Sequence, residues 1–150
     1  MHVRKFALLL GSIFIVVGIL GFVPGVNMHH MQDDFQLTVT GPGTGKLMGL
    51  FHVNLLHNLV HILFGVLGIA MARMGRPITY CRIVAVAYLV LGIMGMIPTA
   101  NTWHTFGLVP IEGHDVWLHI LIALAAGWFG WLVDQKLPAA GPGNANTPTA

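Results

Sequence analysis

The side chains that could do chemistry in this chain are imidazoles and carboxamides set inside an otherwise apolar sequence. At about 100° per residue, Asn54, His57, Asn58 and His61 fall on one narrow stripe of a helix, continued by Gly65 and Gly68, while His52 points the other way. A second stretch carries Asp115 and His119. His61 precedes Arg73 by about 18 Å of helix and His119 precedes Asp134 by about 22 Å, so the two histidines are expected at similar depth. Two histidines on different helices at one depth can ligate a haem b, with Gly65, Gly68, Ala123, Ala126 and Gly127 leaving room for the ring. With His57 added, His61 and His119 would suit a transition metal. The same groups could form a quinone-like or proton-transfer site. The reading adopted is a structural network in which Asn54, His57, Asn58, His61, Asp115 and His119 satisfy one another, with no cofactor; a haem or metal site is the alternative. No nucleophile constellation accompanies them. Ser12 is the only serine, Cys81 lies away from the stripe, and no carboxylate pair falls within an apolar run, so an enzyme is not expected.

The elements that position these groups follow from composition. The chain is 55% apolar and 8% charged, against about 25% charged in soluble domains, with a mean hydropathy of +0.77. It reads as an integral membrane protein. Spans are expected at about 6–23, 47–72, 79–97 and 114–133. Between Lys46 and Arg73 there is no Asp, Glu, Lys or Arg. Imidazole and carboxamide groups in hydrocarbon need partners, so the stripe should face protein, trapped water or a ligand. Gly18 and Gly21 should mark close helix packing, with leucine there more disruptive than leucine at Ile15. Gly92 and Gly95 repeat the pattern in the third run.

The connecting segments are polar. Residues 24–45 hold His29, His30, Asp33 and Asp34 and the breaker string TGPGTG; FQLTVT within them alternates as a short strand would. His29, His30 and Asp33 could bind a metal, but adjacent histidines point apart, and the segment is read as a solvated loop. Residues 134–150 have almost nothing to bury and are expected to be a disordered cytoplasmic tail, leaving 1–133 as one transmembrane domain. Six of the seven basic residues fall on the side shared by the termini and the 72–82 link, and only Lys46 lies opposite, which makes both termini cytoplasmic. The net charge of +2 comes from few groups and argues for orientation rather than nucleic-acid binding. The lipid bilayer is the expected partner, with other membrane proteins or self-association besides. A lone cysteine excludes an internal disulfide.

The sequence also matches itself. VVGILGFVP (Val16 to Pro24) matches VLGIMGMIP (Val90 to Pro98), and GLFHVNLLHNLVHIL (Gly49 to Leu63) matches GLVPIEGHDVWLHIL (Gly107 to Leu121). In that register His61 corresponds to His119 and His57 to Asp115. The expected fold is therefore an all-α membrane protein, four transmembrane helices forming a bundle from two tandem parallel helical hairpins related by a pseudo-two-fold axis along the membrane normal.

The core Val53, Asn54, Leu56, His57, Asn58, Leu59, Val60, His61, together with FGLVPI (Phe106 to Ile111) and DVWLH (Asp115 to His119), resembles a family of bacterial membrane proteins described as domain of unknown function 4383. The resemblance covers roughly Phe6 to Val133. It implies a four-helix protein of the bacterial inner (plasma) membrane and brings no activity to transfer. His29, His30, His52, His104 and His114 are not part of the matching pattern.

Overall fold

The computed structural model describes residues 2–28, 41–97, 105–106, 108–111 and 113–133. The expectations for His29, His30, Asp33, Asp34, the FQLTVT strand, His104 and the 134–150 tail fall outside these residues.

Among the described residues, four helices are long and apolar enough to cross a membrane. They are α1 (Val3–Leu20), α2 (Leu55–Arg73), α3 (Pro77–Met96) and α4 (His114–Gly127), the last continued by a π-helical turn, Trp128–Leu132. Each turns one stripe inward. On α1 it is Val3, Ala7, Leu10, Gly11, Phe14 and Gly18, the spacing of a single helix face. The opposite faces carry Leu9, Val16, Leu63, Val66, Val86, Val90, Leu121 and Leu124, all exposed. Large apolar side chains turned outward on every helix are what a hydrocarbon surround accommodates and water does not.

Helix α1 packs antiparallel to α2, and α3 antiparallel to α4. Small residues set both approaches. A β-carbon at Gly11 would stand 2.8 Å from the Gly65 carbonyl oxygen, and one at Gly18 would stand 2.7 Å from the Asn58 carbonyl oxygen and from the Ile62 side chain. In the second pair, a β-carbon at Gly92 would meet Ile120 at 2.8 Å and one at Gly95 would meet Val116 at 2.7 Å. Ile15, the position expected to be less sensitive than Gly18 or Gly21, fills the space over Gly65.

Between α2 and α3 the chain turns in three residues. The Arg76 N–H donates to the Met71 carbonyl at 2.8 Å around Gly75, whose φ of +75° suits a residue without a β-carbon. Pro77 then opens α3 at a position where its missing N–H costs nothing.

The second helix begins later than 47. Residues 45–53 form a hairpin of β2 (Gly45–Leu47) and β3 (Phe51–Val53), with β1 (Asn27–Met28) added antiparallel to β2, in the order β1-β2-β3. The reversal runs through Met48 and Gly49, both at positive φ, a break that apolar character alone does not reveal. Helix α1 likewise lies three residues earlier than 6–23, ending at Leu20, because the chain turns at Gly21 and Phe22 toward this sheet.

Candidate functional site

The polar residues gather at the end of the helices that carries the small sheet. Asn54, expected within the helical stripe, is extended (φ −138°) and caps α2: its Oδ1 accepts from the His57 N–H at 2.8 Å. The preceding strand forces this, since a residue leaving a β-hairpin arrives extended and an asparagine there satisfies a helix donor that has no partner within the helix. The Asn54 Nδ2 donates to the Leu108 carbonyl at 2.7 Å, reaching from the start of α2 to the connection between α3 and α4.

Asn58, one turn on, faces a different neighbour. Its Nδ2 donates to the Gly43 carbonyl at 3.0 Å, and the same carbonyl accepts from Asn27 Nδ2 at 2.8 Å. The carboxamide lies against Gly21, where a β-carbon would overlap it. So both asparagine amides donate to loop carbonyls, while Asn54 meets His57 through the main-chain N–H of that histidine.

The histidines come together. The His57 and His61 rings are 4.6 Å apart between centroids, and His57 and His119 are 6.4 Å apart. His57, Asp115 and His119 are each at least 95% buried. His119 Nδ1 lies 2.6 Å from the Asp115 carbonyl oxygen; a carbonyl only accepts, so Nδ1 carries the proton and Nε2 is left as an acceptor. The Asp115 main chain thus fixes the His119 ring.

Two residues that the sequence did not flag complete the arrangement. His61 stacks on Phe14 (5.5 Å), Phe14 on Tyr88 (5.2 Å) and Tyr88 on His119 (4.9 Å), a row of rings with one from each helix. Nothing in Phe14 or Tyr88 alone marks them, because an aromatic on an apolar helix is ordinary. The row runs from His61 to His119 through the two aromatics.

Beside the rings is a partly open cavity of about 170 Å³, lined by His57, Val60, His61, Phe64, Tyr88, Leu91, Thr105, Val109, Ile111 and His119. The Nδ1 atoms of His57 and His61 and the Thr105 Oγ1 are buried without a hydrogen-bond partner. Of the small residues expected to leave room for a haem ring, Gly65 receives Ile15 and Gly68 receives the Tyr80 ring, whereas Ala123 and Gly127 line a separate groove with Trp128 and Trp131. Among the described residues, no group of three or more His, Cys, Asp or Glu side chains is arranged to hold a metal ion.

At the other end, the π-turn leaves the Gly130 carbonyl to accept from Arg82 Nε at 2.8 Å, with the Arg82 guanidinium 5.7 Å from the Trp131 ring centroid. Trp117, Trp128 and Trp131 are all exposed, as anchors at a membrane boundary are.

No curated protein and no solved structure matches the chain. The pattern of one family does, over residues 4–132, a stretch that takes in all four helices and the histidine cluster: the chain belongs to the family described as domain of unknown function (DUF4383).

Proposed function

We propose that the protein is a structural or accessory component of the bacterial inner membrane, not an enzyme. Its four helices form a bundle of two tandem hairpins, α1–α2 and α3–α4, clamped together by the polar cluster at the outer end. Both termini are cytoplasmic, as the distribution of basic residues directs, and the exposed apolar faces meet lipid.

The observation that carries this reading is contact across the seam between hairpins. Asn54 of the first hairpin holds the Leu108 carbonyl of the second, and His57 and His119 approach beneath that bond. Polar contacts between helices stabilise where hydrophobic burial cannot, since lipid tails are as apolar as the helix faces. Duplication is supported by matched packing. Ala7, Leu10, Gly11, Phe14 and Gly18 recur at the same intervals as the buried Cys81, Val84, Ala85, Tyr88 and Gly92. Gly18 meets Ile62 as Gly92 meets Ile120, pairs that correspond in the internal match. Phe14 on His61 likewise has its counterpart in Tyr88 on His119.

A double-mutant cycle tests the clamp. His57→Ala and His119→Ala should each lower stability in detergent melts modestly, near the average of about 0.6 kcal/mol for polar contacts between membrane helices, and their combination should depart from the sum. Additivity within about 0.3 kcal/mol would overturn the reading. No particular observation favours haem or metal. A Soret band at stoichiometric haem, or stoichiometric metal in the purified protein, would put that alternative first.

A further inference from the structure

Three histidines, the Thr105 hydroxyl and Tyr88 bring the few polar atoms to a cavity whose other lining side chains are apolar, and that imbalance defines what fits. A volume of about 170 Å³ corresponds to roughly five or six waters at about 30 Å³ each, but each buried water needs two to four polar partners. The walls do not supply them. Val60, Phe64, Leu91, Val109 and Ile111 offer none through their side chains. An apolar cavity of about 150 Å³ takes up a benzene ring, so the space matches one six-membered ring.

The polar groups select further. His119 presents Nε2 as an acceptor, because its Nδ1 proton is committed to the Asp115 carbonyl. His57 Nδ1 and His61 Nδ1 are buried with no partner, and both residues line the cavity. Tyr88 and Phe64 supply ring faces for stacking. A mostly apolar pocket with a few convergent polar atoms is the common form of a small-molecule site. Val60, His61 and Leu91 are only half-buried, so the cavity is reached from outside the bundle. We propose that this cavity binds a monocyclic phenolic ring, its hydroxyl directed to the histidine nitrogens and its ring against Tyr88 and Phe64. This goes beyond the clamp, which is measured without ligand and can fail or hold independently.

The test uses the full-length protein in detergent micelles with histidine ring nitrogens labelled for NMR. Phenol should produce saturable shifts of the His57, His61 and His119 ring nitrogens, and toluene, of nearly the same size, should bind about tenfold more weakly because it leaves the nitrogens without a partner. His119→Phe should weaken phenol by about tenfold and leave toluene unchanged. If that variant does not fold, Val60→Trp, at a half-buried position, should abolish the phenol shifts by filling the space. Equal binding of toluene and phenol would overturn the proposal, as would shifts that never saturate. Equimolar zinc that perturbs all three histidines and blocks phenol would overturn it in favour of a metal site.

Discussion

At the residue scale, Asn54 holds two bonds with different physics. Its Oδ1 accepts from the start of its own helix, and its Nδ2 donates across to Leu108. Serine caps a helix about as well as asparagine but has no amide donor to send to Leu108. Asn54→Ser should therefore lose only the tether, about 0.6 kcal/mol, and Asn54→Ala should lose the cap as well, about 1 kcal/mol more. Thermal or denaturant melts of the two variants check this; equal losses would mean the cap contributes nothing. The helical spacing of His57, Asn58 and His61 was legible in the sequence, and so was the placing of His61 and His119 at one depth, where both line one cavity. What the polar side chains bond to was not, because Asn58, Asn54 and His119 reach main-chain carbonyls at Gly43, Leu108 and Asp115, and any residue type supplies a carbonyl. Phe14 and Tyr88 could have been found by carrying the internal match two residues upstream of Val16 and Val90, where the two aromatics align.

At the element scale, the helix pairs depend on backbone approach at a few glycines. Gly18→Leu and Gly92→Leu must displace Ile62 and Ile120, and for Gly18 also helix backbone. Val16 points outward, 54% exposed. Both glycine changes should lower stability by about 1–3 kcal/mol, the range for overpacking, and Val16→Leu should have no measurable effect. A tolerance of leucine at Gly18 equal to that at Val16 would remove close packing as the basis of the pairs. The helices themselves were readable because long uncharged runs leave few other options. Their ends were less so: residues 47–53 are as apolar as the helix that follows, and the hairpin there comes from positive φ at Met48 and Gly49, with the more distant Asn27–Met28 strand pairing onto its first arm. Hydropathy carries neither signal.

At the scale of the whole molecule, charge and biosynthesis enter. With six of seven basic residues on one side, Leu50→Cys, at a position 56% exposed in the loop before α2, should react with a membrane-impermeant thiol reagent applied from outside. Cys81, fully buried, provides no competing signal. A reporter fused after Lys136 should register as cytoplasmic, and the opposite pattern would reverse the orientation. The bond from Asn54 to Leu108 has one more consequence. Its acceptor lies 54 residues further along the chain, which a ribosome adding about 5–20 residues per second needs about 3–11 seconds to make. Through that interval the start of α2 has an amide with no Leu108 carbonyl to reach, and slower translation extends the time before that partner arrives.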